Sequence, residues 1–275
     1  MTHPERGRGP GTAGLVELSG LLSPRDWAVM EELKRHRFLT TTQLERLLFH
    51  DHATIASGAR TCRRTLQRLL GYRLIERLHR RVGGLHAGSS AAIWSLSSVG
   101  QRLRSIRFGD GGGSRFREPS QRFVEHYLAV AETLIRISEA ARAGHFELTR
   151  AQLEPGCWRT FLGRSGGRVV LSPDLFVVTA SGDYEDHWFI EVDLGTEHVP
   201  TLLRKCAQYE LYRASGQEQD RSGGVFPLVL WLVQSPARQA KLLDALHAST
   251  GLEQSLYRVA TSDELIAVVR AGAGV

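Results

Sequence analysis

The stretch Ser57-Gly58-Ala59-Arg60-Thr61-Cys62-Arg63-Arg64-Thr65-Leu66-Gln67-Arg68-Leu69-Leu70 decides how the N-terminal half is read. At helical periodicity Arg60, Arg63, Arg64 and Gln67 share one face, while Cys62, Leu66, Leu69 and Leu70 fall roughly opposite. One face packs; the other is cationic, with a single amide among guanidinium groups. Guanidiniums suit phosphates and guanine edges, and Gln67 suits an adenine edge in a DNA major groove. A merely solvated basic helix would carry the same residues, so the neighbouring segments decide between the two.

Upstream, residues 24–35 form a helical pattern opened by a Ser23 cap with Pro24 at its first position, and residues 41–49 form a short second one. The basic helix, residues 57–70, ends at Gly71. Residues 72–78 and 91–96 then read as two strands around a Gly-containing basic stretch with Arg80, Arg81 and His86. This order predicts a helix-turn-helix followed by a basic hairpin, with double-stranded DNA as partner and Arg60, Arg63, Arg64, Gln67, Arg80 and Arg81 as its contacts. The segments 39–44, 69–77 and 93–100 resemble winged-helix regulators, in which the last would be the second wing strand entering a helix.

Charge is divided in the same sense. The chain of 275 residues has a formal net charge of +6, but residues 1–117 hold 20 Lys/Arg against 9 Asp/Glu and residues 118–275 hold 15 against 20. The basic part can approach polyphosphate; the acidic part needs another explanation. Cys62, Cys157 and Cys206 lie too far apart for a zinc pattern or a disulfide framework, which fits a reducing cytoplasm. The longest apolar runs, such as 227–233, are too short to span a bilayer, and no membrane partner is expected. The expected layout is a disordered lead-in (1–20), a first domain (21–107) closing with a short helix at 101–105, a Gly-rich linker (108–117) and a second domain (118–275).

In that second domain residues 118–142 predict a long amphipathic helix. Strands are expected at 145–149, 168–178, 187–194 and 226–233, with a helix at 200–212 before the last, giving α-β-β-β-α-β; a helix (237–249), a strand (256–260) and a helix (263–270) close the chain. Pro173-Asp174 enters one strand, and Glu191-Val192-Asp193 ends the next with Glu191 and Asp193 on one face. Paired strands would bring Asp174, Glu191 and Asp193 together, a self-repelling cluster unless Mg²⁺ or Mn²⁺ sits among the oxygens, and Mg²⁺ beside a phosphodiester can activate water. Lys205 and the run Gln208-Tyr209-Glu210-Leu211-Tyr212 would face the same cleft, and Glu125 and Glu132 could add a ligand. The plainer alternative is a set of solvated carboxylates at strand ends.

Pro173-Asp174 and Glu191 resemble the first two elements of the PD-(D/E)XK nuclease superfamily, with Asp193 where that superfamily carries its lysine. The resemblance implies that Lys205 would serve from the helix, and the spacing of Gln208 and Tyr212 is similar to that in nuclease domains of some recombination enzymes. Over residues 21–233 the chain resembles the replication-relaxation family of bacterial plasmids and integrative elements. The likeness rests on Leu22-Ser23-Pro24-Arg25-Asp26, residues 39–44, Trp94-Ser95-Leu96, Glu125-His126-Tyr127-Leu128-Ala129-Val130, Pro173-Asp174 and Phe189 to Glu197. It implies an α/β (α+β) chain, a winged helix followed by a PD-(D/E)XK-like domain, acting in replication, relaxation or conjugative transfer. Three readings stand. In the first, Mg²⁺-dependent cleavage uses Asp174, Glu191, Asp193, Lys205 and Gln208. In the second, a non-catalytic accessory factor uses its acidic domain to form a homodimer or recruit a relaxase or replication protein. The third is a repressor with a ligand-sensing domain.

Overall fold

In the computed structural model residues 11–78, 92–109, 119–163 and 165–274 are described, and the chain divides into two units between Ala131 and Glu132. The first unit contains α1 (Thr12–Leu21), α2 (Pro24–His36), β1 (Leu39–Thr40), α3 (Thr41–Leu48), α4 (Ile55–Gly71), β2 (Ile75–Leu78), β3 (Ile93–Leu96) and α5 (Ser98–Phe108). It also contains the start of α6 (Gln121–Arg142).

Local chemistry sets where three of these helices begin. Ser23, Thr40 and Thr54 each accept the backbone N–H three residues on, and the side chain there returns the bond, closing a capping box. Such caps contribute about 1 kcal/mol each. Because Thr54 is the cap, α4 starts at Ile55, two residues earlier than its apolar pattern predicts. The strands form a sheet in the order β1-β3-β2, all antiparallel, with Leu39 opposite Trp94 and Ile75 opposite Leu96. Val124, Tyr127 and Leu128 at the start of α6 complete a cluster with Phe38 and Ile93.

Several expectations are corrected. Residues 12–20, expected to be disordered, form most of α1 with Leu15 buried. Leu39–Thr40 forms a short strand just before the helix expected at 41–49. The short helix expected at 101–105 runs over Ser98–Phe108, because Ser97 caps it at Gly100 N–H. Arg80, Arg81, His86, the first ten residues and the linker positions 110–117 lie outside the described residues.

The second unit follows the rest of α6 with β4 (Glu147–Leu153), β5 (Arg159–Leu162), β6 (Arg168–Leu171), β7 (Leu175–Ser181), β8 (Tyr184–Asp193), α7 (Val199–Ala214), α8 (Gln217–Arg221), β9 (Leu228–Val233), α9 (Pro236–His247), β10 (Tyr257–Thr261) and α10 (Leu265–Ala271). Five strands make one sheet in the order β10-β9-β8-β7-β4. β4, β7 and β8 are antiparallel, whereas β8, β9 and β10 run parallel and are joined through helices, as parallel neighbours require. The strand expected over 168–178 is two strands in two sheets. Pro173 has no N–H to donate, and it falls between β6, which pairs with β5 in a separate hairpin, and β7. Phe176, Val178, Phe189, Val229, Trp231 and Val233 of the sheet pack with Leu202, Cys206, Tyr209 and Tyr212 of α7 and Leu242 and Leu246 of α9. Among the described residues no helix is long and apolar enough to cross a membrane.

Candidate functional site

Two separate constellations stand out, one in each unit. In the first, α4 buries Gly58, Cys62, Thr65, Leu66 and Leu69 and leaves Arg60, Arg63, Arg64 and Gln67 exposed. The helix is held in this rotation from both sides. Asp26, already bound to Ser23 at the start of α2, also accepts Arg68 Nη2 at 2.6 Å. Gly58 lies so close to the end of α3 that a β-carbon there would stand 2.5 Å from the Phe49 carbonyl oxygen. Arg63 reaches Glu45 only at 3.9 Å, so its guanidinium can still meet another anion. The arrangement presents three cations and one amide on a surface backed by a packed core.

The second constellation lies on the sheet face covered by α7 and α9. Glu191 on β8 is buried, and its carboxylate is filled from α7: Lys205 Nζ stands 2.5 Å from Oε2 and Tyr209 O–H donates to Oε1 at 2.5 Å. Burial pushes Glu191 up to about 7 despite the pull of Lys205, and nearby Asp174 adds to the rise. Burial draws the Lys205 ammonium down, but the attraction of Glu191 and Asp174 outweighs it and holds Lys205 above its ordinary value. Pairing of β7 with β8 ends at Leu175 opposite Ile190. One residue earlier, Asp174 Oδ2 takes the next inward N–H, that of Val192, at 2.8 Å.

Asp174, Glu191 and Lys205 therefore come together, as the sequence spacing suggests. Asp193 does not complete a trio. Its Oδ2 accepts Arg238 Nε of α9 at 2.6 Å, and its Oδ1 accepts Gly195 N–H at 2.9 Å. Among the described residues no three His, Cys, Asp or Glu side chains are grouped to hold a metal ion. As arranged, one carboxylate carries a lysine and a tyrosine, another an arginine, and this set does not fit a divalent cation without rearrangement.

Other positions also part company. Gln208 is exposed on α7. Tyr212 is buried and donates to Glu218, which also takes Arg159 Nε at 2.7 Å. Besides Lys205, the residue of α7 that meets Glu191 is Tyr209, and its place is readable: four residues after Lys205, it shares that helix face. Nothing near Asp193 in sequence points to Arg238. Glu125 accepts Gln121 Nε2 one turn back along α6, at 2.8 Å, and lies in the first unit, whereas Glu132 lies in the second.

A family model described as replication-relaxation matches residues 30–229. No curated protein and no solved structure matches the chain.

Proposed function

The chain belongs to the replication-relaxation family, and on that premise we propose that it is a DNA-binding protein serving replication, relaxation or conjugative transfer of a plasmid or integrative element. The first unit is read as a winged helix whose α4 enters the major groove. The second is read as a PD-(D/E)XK-like domain that α4 delivers to DNA. The observation that carries this reading is the outward face of α4, where Arg60, Arg63, Arg64 and Gln67 are all exposed while the opposite face packs. Phosphate contacts of this kind make affinity steeply salt-dependent. Fluorescence anisotropy of a labelled duplex, titrated with the protein over a range of salt concentrations, tests the reading. Saturable binding whose logarithm falls linearly with log salt is expected, and absence of binding at low salt would sink it.

Because the protein's own cations already balance Glu191 and Asp193, the second domain is read first as a non-catalytic module that recruits a second copy, a relaxase or a replication protein. Metal-dependent cleavage is the second reading, favoured by the convergence of Asp174, Glu191 and Lys205. Incubation with supercoiled DNA and Mg²⁺ or Mn²⁺ separates the two. Nicking by the wild type that is lost in Asp174→Asn would establish cleavage at this site; no nicking, with no heat of Mg²⁺ or Mn²⁺ binding, favours the accessory role.

A further inference from the structure

We propose that the β5–β6 hairpin is a platform for single-stranded DNA beside the Asp174–Glu191–Lys205 site, with the Trp158 indole stacking on an unpaired base and Arg168 meeting a phosphate. This rests on the reading that the chain acts on DNA, and extends it to a second surface and a second form of the nucleic acid.

The hairpin has two unlike faces. Cys157, Phe161 and Leu171 point into the core of the second unit, and Arg159 is buried beside them, paired with Glu218 and lying over the rings of Phe176 and Phe189. The alternate residues Trp158, Thr160, Leu162, Arg168 and Val170 are exposed. The register joins them into one surface, since Thr160 faces Val170 and Leu162 faces Arg168. Trp158 is 41% exposed, whereas Trp27, Trp94, Trp188 and Trp231 are each 6% or less. A tryptophan, a leucine and a valine left in water on one face of the hairpin give it the apolar character that marks an interaction surface.

Charge indicates what binds there. From Trp158 to Ser172 the sequence carries no acidic residue, within a half of the chain, residues 118–275, that holds 20 Asp/Glu against 15 Lys/Arg. With Arg159 buried against Glu218, the outward cation among the described residues of the hairpin is Arg168. An exposed aromatic ring with a cation further along the same face is a combination that holds single strands: stacking is tolerant of base identity, and the cation meets the backbone. Bases in a duplex are already stacked on one another, so an indole of this kind needs an unpaired one.

The platform is also held rigid where it meets the site. Cys157 Sγ donates to the Pro173 carbonyl at 2.9 Å, and Arg159 Nη1 donates to the Cys157 carbonyl at 2.8 Å. Trp158 thus lies between two anchored neighbours, Cys157 and Arg159, just before the strand in which Arg159 faces Leu171.

As the exposed member of five tryptophans, Trp158 reports its own occupancy. Oligodeoxythymidylate is titrated into the Arg63→Ala/Arg64→Ala protein, which silences the α4 face, and intrinsic fluorescence is followed. Quenching is expected; Trp158→Ala should remove it and weaken single-strand affinity about tenfold, while Trp158→Phe retains most of the affinity. Duplex binding by the protein with an intact α4 face should be unchanged by Trp158→Ala. Equal single-strand affinity in wild type and Trp158→Ala overturns the platform and leaves the α4 reading intact. Loss of self-association in Trp158→Ala, seen by sedimentation without a change in DNA affinity, overturns it in favour of a protein contact. Failure of the wild type to bind either duplex or single strand removes both proposals.

Discussion

Arg238 Nε of α9 lies 2.6 Å from Asp193 Oδ2 at the end of β8, with both side chains largely out of water. A carboxylate that shares a strand face with Glu191 is in this way withdrawn from it. Removing one partner of a buried pair leaves the other charge uncompensated, so Arg238→Met should cost about 3–5 kcal/mol. Asp193→Asn combined with Arg238→Met should recover part of that loss. Urea unfolding of the two variants and the wild type measures it, and an unchanged midpoint in Arg238→Met would contradict the role given to the pair.

The exposed face of α4 predicts a change in salt dependence. Arg63→Ala with Arg64→Ala should weaken duplex binding and lower the slope of log affinity against log salt by about one unit for each phosphate that no longer meets a cation. Gln67→Ala should alter preference among duplex sequences and leave the slope alone. An unchanged slope in the double arginine variant would mean that another face meets DNA.

Glu191 predicts a pH effect of definite sign. Its folded value, about 7, exceeds its ordinary 4.5. The folded state therefore binds that proton more tightly than the unfolded one. The associated stability is fully present below pH 4.5 and is lost as pH rises through about 7. Glu191→Gln should flatten the decline in urea midpoint between roughly pH 5 and pH 7.5, the interval in which the two states differ in protonation. A wild type and variant with parallel pH profiles would refute this.

Gly58 is a steric requirement of the α3–α4 crossing. The neighbour that a β-carbon would meet is backbone, at 2.5 Å, so no side chain can swing away to relieve it. Gly58→Ala should destabilise the first unit by about 1–3 kcal/mol, typical of overpacking. Thermal unfolding followed by circular dichroism would show it, whereas Gly71→Ala, with open space around its α-carbon, should be tolerated.

The three thiols are buried, and desolvation pushes Cys62, Cys157 and Cys206 each up to about 12. Reactivity follows the thiolate, so a disulfide reagent such as DTNB at pH ~8 should label none of them in the folded protein. All three should react in urea. Fast labelling of any one in the native state would show that it opens to solvent.

What could be read from the chain follows from the range of each interaction. Ser23-Pro24-Arg25-Asp26 announces the start of α2 because its capping bonds span three residues. Glu191 and Asp193 share a face because strand alternation is local. Lys205, 14 residues on, was expected in the Glu191 cleft, but the partner of Asp193 was not readable, since Arg238 is 45 residues away. Residues 168–171 and 175–178 look like one strand because β-periodicity does not name a partner; Pro173 was the local sign of the break. Gln208 and Tyr212 have the spacing of a helical pair, but neither reaches Glu191; the residue that does, Tyr209, lies one turn after Lys205 on the same helix face.

The 22 residues of α6 bear on how the protein is dissected. Composition invites a cut in the glycine-rich stretch, yet Val124, Tyr127 and Leu128 beyond it belong to the cluster around Phe38 and Ile93, and Gln43 donates to the Leu128 carbonyl at 3.0 Å. A fragment ending at residue 117 would bare that apolar surface and take away the carbonyl to which the Gln43 amide donates. A self-standing fragment of the first unit has to extend to at least Ala131, and a well-behaved preparation is to be sought from there rather than from the apparent linker.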